Sequence, residues 1–236
     1  MTSQAEQSAL KQALDRLSDL VEFPSQSMAV LDASGHDVDV SNFFIQRGCE
    51  TARVWGEGGS PAKANTIDGT AAATGLPAAS LDMVVVAGAR AQTCDRDVLF
   101  ESSRILKPQA CILLCYAVPV CLPGTVAALS ENLALQFNPF WMPSTDPHAI
   151  SMHLSHLAMS GFVGAESHTL DVSLPFSCAD WVSLCCKGEI IQDARLSPTE
   201  LEDFRLVLRD YIHRDFGSGN FFVPYRTLTY VAYRAN

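Results

Sequence analysis

The sequence predicts an α/β domain built on a mostly parallel sheet, and three observations carry that prediction. Residues 81–87 and 110–117 are short apolar runs bounded by turn residues, as strands buried on both faces are. Between them, residues 95–106 read as a helix, with Asp95 near its start and Arg104 and Lys107 at its end, where the macrodipole favours each charge. Strand, helix and strand on short links imply right-handed crossovers between parallel neighbours.

The remaining elements follow in order. Leu10, Leu14, Leu17 and Val21 recur at spacings of four, three and four, one face of a helix over residues 4–22 that Phe23-Pro24 ends. Residues 27–33 read as the first strand, and residues 40–49 as a short helix stopped near Gly48. A second strand over 51–55 ends at Gly56-Glu57-Gly58-Gly59, a third spans 65–68, and Gly75-Leu76-Pro77 is a loop leading into strand 81–87. Pro108 stops the helix over 95–106 before the strand at 110–117. Thr145-Asp146-Pro147 opens a helix that runs to Gly161, and residues 163–172 form the next strand. Ser197-Pro198-Thr199-Glu200 is a capping box whose helix puts Leu201, Phe204, Leu208, Tyr211 and Ile212 on one face. Gly217 and Gly219 close it, and residues 220–234, rich in Phe, Val, Tyr and Thr, make the last strand.

Composition narrows the function. The 236 residues are 48% hydrophobic, enough for one large core. With 18% charged residues and a formal net charge of -10, the chain lacks the clustered cations that bind a phosphate backbone, so no nucleic-acid partner is expected. The longest apolar run, residues 110–121, is broken by Pro119 and falls short of the roughly 20 residues that cross a bilayer, so no membrane partner is expected either. The first twenty residues mix Gln, Lys, Asp and Arg among the leucines, unlike an export signal, and a cytoplasmic chain is expected. The eight cysteines therefore read as free thiols. Cys111, Cys115 and Cys121 lie in or beside the apolar run, and adjacent Cys185 and Cys186 are poorly disposed to chelate one zinc, so buried small hydrophobes are expected and no metal.

Three segments together resemble a known family. They are Gly69-Thr70-Ala71-Ala72-Ala73-Thr74-Gly75-Leu76-Pro77, then Ser80-Leu81-Asp82-Met83-Val84-Val85-Val86, then Glu101-Ser102-Ser103-Arg104-Ile105-Leu106-Lys107-Pro108. They resemble G-T-A-E-x-T-G-L-P, S-x-D-x-V and E-x-x-R-V-L-K-P-G-G of the class I S-adenosylmethionine-dependent methyltransferases, in the type 11-like branch that acts on small molecules. Phe222-Val223-Pro224-Tyr225-Arg226-Thr227 is similar to that branch's last strand. The resemblance implies a Rossmann-like, seven-stranded, mostly parallel sheet with an antiparallel last strand. It also implies a cofactor lying over the carboxyl ends of the first strands. It divides the chain into an N-terminal helix, residues 1–26, and a methyltransferase-like domain, residues 27–236, with a helical insertion at about 179–217.

The departures from the family fall on the cofactor cradle. Where the family reads V-L-D-x-G-x-G-x-G, this chain reads Val30-Leu31-Asp32-Ala33-Ser34-Gly35-His36-Asp37-Val38. Ser34, His36 and Val38 stand at the three glycine positions, and Gly35 is out of register, although bare backbone is what lets a nucleoside approach. Ala72 replaces the Glu of G-T-A-E, and Gln92-Thr93-Cys94 replaces an H-W-F triplet that lines the pocket. Glu57 stands at the ribose-binding acid position, or is a solvated loop residue. The fifty positions from Asp32 to Asp82 are too few for three helical crossovers, so the fold is expected to be shortened after strand 2, at residues 58–64.

Other constellations carry less. His153 and His156 lie three apart, a spacing usable by a metal, but a polar helix face is the expected reading. Phe137, Phe140, Trp141 and Met142 form an apolar cluster in the region where the family builds a substrate lid; it lines a pocket, forms core or meets a partner. No nucleophile elbow or P-loop is present.

Two functions are expected. The first is a non-catalytic pseudo-methyltransferase with a degenerate S-adenosylmethionine site comprising Asp32, Ser34, Gly35, His36, Glu57 and Ala72. It needs no cofactor and acts on a protein partner, a homologous methyltransferase subunit, another small-molecule pathway enzyme or a second copy of itself. The second is an active atypical methyltransferase, or a repurposed cyclase or isomerase. In that case S-adenosylmethionine binds, Gln92, Tyr116, Phe140 and Trp141 line the pocket, and His36 or His148 is the base.

Overall fold

The computed structural model describes residues 4–19, 28–32, 38–49, 51–55, 66–68, 70–87, 95–140, 149–187 and 196–236. In chain order they form helix α1 (Gln4–Leu17), strand β1 (Met28–Asp32), α2 (Val38–Ile45), β2 (Thr51–Trp55), β3 (Thr66–Asp68), β4 (Leu81–Ala87) and α3 (Arg96–Ile105). There follow β5 (Leu106–Pro119), α4 (Val126–Phe137), α5 (Ala149–Met159), β6 (Phe162–Phe176), α6 (Cys178–Lys187), α7 (Pro198–Phe216) and β7 (Phe221–Arg234).

The strands make one seven-stranded sheet in the order β3-β2-β1-β4-β5-β7-β6. The pairs β3·β2, β2·β1, β1·β4 and β4·β5 are parallel. At the other side the chain reverses. Arg234, the last residue of β7, donates to the carbonyl of Leu106, the first of β5, and Val120, just past β5, donates to Pro224 near the start of β7. The last strand is therefore antiparallel, as the resemblance implies. The expected shortening between β2 and β3 falls in residues 56–65, outside the described residues. The β3-to-β4 connection is described over 70–80 and carries turns instead of a crossover helix.

The contacts divide the chain into two compact units. In the larger, residues 2–117, 148–170 and 227–236, strand alternation sorts the core by face. Met83, Val85 and Ala87 of β4 and Cys111, Leu113 and Cys115 of β5 pack with Leu10, Leu14 and Leu17 of α1 and Val40, Phe43 and Phe44 of α2. The intervening Val84, Val86, Ile112, Leu114 and Tyr116 are also wholly buried, so these strands have no solvent face and read as continuous apolar runs. Each such aliphatic side chain contributes about 1.5–3 kcal/mol over an exposed one. Leu10, Leu14 and Leu17 form the α1 face that the spacing predicts; the helix ends at Leu17, and Val21 lies outside the described residues.

The smaller unit comprises residues 118–147 and 171–226. Here α7 packs against α4 and α6. Phe204, Leu208 and Ile212 are its buried face, Phe204 meets Phe137 edge to face at 5.6 Å, and Trp181 of α6 donates to Ser130 Oγ of α4 at 2.9 Å. The capping box forms as the sequence predicts, with Glu200 N–H donating to Ser197 Oγ and Ser197 N–H to Glu200 Oε2.

One boundary differs from expectation. Helix α3 ends at Ile105 and β5 begins at Leu106, two residues before Pro108, which therefore does not stop the helix but lies within a strand. The register explains how. Leu81 pairs with Leu106 and Met83 with Cys111, so five steps on β5 oppose two on β4. Pro108, which has no N–H to give the ladder, falls in this irregular stretch, where no ladder bond is required.

Candidate functional site

The carboxyl ends of the central strands reach one level. Leu31 pairs with both Val54 and Val86, Asp32 with Ala87, and Trp55 with Asp68. The segments that leave these ends are where a doubly wound sheet binds its ligand. Most sequence candidates sit in them. Ser34, Gly35, His36, Glu57 and Gln92, together with Trp141 and His148, lie outside the described residues. Asp32, Ala72, Tyr116 and Phe140 lie within them.

Asp32 is the last residue of β1, level with Ala87 of β4. Val38, at the third glycine position, is already the first residue of α2. Ala72 is exposed in a turn that Thr70 and Ala73 close with reciprocal backbone hydrogen bonds of 3.2 and 3.0 Å. A methyl thus stands where the family places a carboxylate, and it has no acceptor to offer a cofactor.

The intact motif residues are drawn together instead. Thr74, buried after the turn, donates its N–H and hydroxyl to Glu101 Oε1 at 2.9 and 2.5 Å, and its hydroxyl accepts from Leu76 N–H at 3.2 Å. Glu101, on α3, also accepts from Arg104 Nε at 2.7 Å, and Arg104 Nη2 reaches the Leu76 carbonyl at 2.7 Å. Ala79 and Ser80 donate their backbone N–H groups to the carbonyls of Arg104 and Ile105, and Lys107 Nζ meets Asp82 Oδ1 at 2.7 Å. The three segments that carry the resemblance are therefore one clasp between the β3-to-β4 connection and the α3-to-β5 boundary. The Arg104 guanidinium, with the Thr74 donors, outweighs burial and holds the Glu101 carboxyl at about 2, well below its usual range. Glu101 was legible only through the resemblance; a Glu with Arg three residues on inside an amphipathic helix is the local signal.

A second polar group lies in the core. Nδ1 of His153, on α5, is 3.2 Å from the hydroxyls of both Tyr116 on β5 and Tyr230 on β7. The imidazole meets each phenol ring edge to face, at centroid distances of 5.6 and 5.5 Å. All three are buried, so the expected polar helix face is corrected for His153: it turns inward, while His156 is half-buried. The signal was available, because 153 and buried Leu157 and Ser160 recur at helical spacing. Tyr116, a sequence candidate for the pocket, is wholly enclosed here. Phe140 lies in the smaller unit and is 92% exposed. Among the described residues no group of three His, Cys, Asp or Glu side chains is placed to hold a metal, and seven cysteines are free thiols, five of them buried.

No protein-family model and no curated protein matches the sequence. Solved structures do. A candidate type II methyltransferase of Anaeromyxobacter dehalogenans matches with a TM-score of 0.66 at 14% identity, over 95% of each chain. A candidate methyltransferase of Bacillus halodurans matches with a TM-score of 0.57 at 12% identity, over 95% of this chain and 100% of that one. A phosphoethanolamine N-methyltransferase of Haemonchus contortus, in complex with S-adenosyl-L-methionine, matches with a TM-score of 0.50 at 11% identity, over 95% of this chain and 52% of that one. Among the described residues no helix is long and apolar enough to cross a membrane. Strand order, strand direction and these likenesses agree: the chain has the fold of the class I S-adenosylmethionine-dependent methyltransferases.

Proposed function

We propose that this chain is a non-catalytic member of the methyltransferase fold, which acts by binding a protein partner such as an active methyltransferase subunit or another small-molecule pathway enzyme. One observation carries the reading: the motif residues divide by role. Those that brace the fold, Thr74, Asp82, Glu101, Arg104 and Lys107, are present and engaged with one another. Those that would admit a nucleoside are replaced, by Ser34, His36 and Val38 at glycine positions and by Ala72 at the acid position. A chain selected for methyl transfer has no reason to keep the first set and lose the second, whereas a chain selected for its surface does.

Titration of the full-length protein with S-adenosylmethionine in a calorimeter tests this. The expected result is no saturable heat. Stoichiometric, micromolar or tighter binding overturns the reading in favour of an active, atypical methyltransferase.

A further inference from the structure

At the far side of the sheet, β6 is the edge strand, paired among the described residues with β7 alone. Every second residue of an edge strand turns its N–H and C=O away from the sheet, and proteins usually blunt such an edge with Lys, Pro or a very short strand. Over residues 162–170, which read Phe-Val-Gly-Ala-Glu-Ser-His-Thr-Leu within a 15-residue strand, this edge has no Lys or Pro; Gly164, at a φ of 62°, interrupts the extended backbone, so the regular stretch begins at Ala165. The opposite edge, β3, is only three residues long. From Val163 to Leu170 no residue of β6 is buried, and exposed Val163 and Tyr233, the latter beside Gly164, add apolar surface along it.

The sequence of this edge is self-complementary about Ser167. In an antiparallel pairing of two copies with the two-fold axis at Ser167, Glu166 faces His168 of the other copy, and His168 faces its Glu166. Ala165 then faces Thr169, and Ser167 faces itself. A carboxylate stands opposite an imidazole twice, and the small residues Ala165 and Ser167 leave room at the centre. Within one chain Glu166 Oε2 and His168 Nε2 already share a face, 3.7 Å apart. We propose that β6 pairs with β6 of a second copy, making a two-fold dimer through a continuous sheet. The proposal stands whether or not the cofactor site works.

The two-fold axis makes position 167 diagnostic, because any charge placed there meets its own copy. The full-length protein, followed by sedimentation velocity through a dilution series, is expected to be a dimer. Ser167→Asp should weaken the dimer about tenfold, and Ser167→Lys likewise, each by placing like charges opposite one another. An equimolar mixture of the two variants should recover the dimer. Ser167 is exposed, so at a dilution where all three chains are monomers each variant should keep the wild-type melting curve. A wild-type chain that stays monomeric throughout, a dimer indifferent to Ser167→Asp, or a mixture that fails to recover it overturns the proposal.

Discussion

Glu101 Oε1 accepts both donors of a single residue, the backbone N–H of Thr74 at 2.9 Å and its hydroxyl at 2.5 Å. The loop after β3 is thereby tied to α3 at a point where no crossover helix braces it. Arg104 completes the tie by spanning Glu101 and the Leu76 carbonyl. The clasp is made by Thr74, Leu76, Glu101 and Arg104, none of which is among the cradle residues named from the sequence, so it can be kept where those residues differ.

Glu101→Gln keeps the shape but removes the charge that orients Arg104 and shortens both Thr74 bonds. Glu101 is 9% exposed, and replacing a charged partner in so enclosed a network should cost about 2 kcal/mol. Urea unfolding is the measure: the midpoint should fall with the slope unchanged.

The same carboxyl sets an acid limit. Its ionisation lies at about 2 in the folded chain against 4.5 unperturbed, so the unfolded state binds the proton first. The contribution is complete above about pH 4.5 and is lost as pH falls toward 2. It amounts to on the order of 3 kcal/mol as an upper bound. Plotted against pH, the stability difference between the native chain and Glu101→Gln should narrow through this window. A difference that holds constant down to pH 2 would place the stabilisation elsewhere.

The His153 group predicts non-additivity. One ring nitrogen stands 3.2 Å from two hydroxyls, so either can serve it when the other is gone. Tyr116→Phe and Tyr230→Phe should each cost about 1 kcal/mol or less. The double variant should cost more than their sum, because only then does Nδ1 lose both. Additive losses in a thermal double-mutant cycle would refute the shared role.

The legible parts of the fold are those in which one local rule dominates. Buried parallel strands have no polar face, so residues 81–87 declare themselves by composition, and Ser197 with Glu200 mark the start of α7 by a reciprocal bond that needs only their spacing. Helix α4 carries little local signal, because it begins behind Gly124 and a Thr125 cap with no acidic residue in its first turn, and it runs on Ala and Leu with little contrast between faces. The start of β5 at Leu106 is not readable locally, because Pro108 is a helix stop in isolation and a tolerated bulge residue once β4 lies alongside. The inward turn of His153 depends on two tyrosines 37 and 77 residues away, which no local window contains. For the candidate site, the glycine replacements were readable because bare backbone is a property of residue type. The clasp became visible only when three distant segments met.

The irregular start of β5 offers one more test. Gln109 has a φ of 63°, a left-handed conformation that glycine adopts freely and a Gln side chain resists by roughly 1–2 kcal/mol. It stands where the resembling family reads Gly after Lys-Pro. Replacing it by Gly relieves that strain but frees the unfolded chain by about 0.5–1 kcal/mol, so the two effects oppose. Strain is the larger, because Gln109 is exposed and gives up little packing. Gln109→Gly should therefore stabilise the protein by about 0.5–1 kcal/mol, and Gln109→Ala, which keeps a Cβ in the same backbone, should not. Chemical denaturation of the three chains separates them: equal gains from Gly and Ala would mean that the side chain of Gln109, and not its backbone, was the unfavourable element.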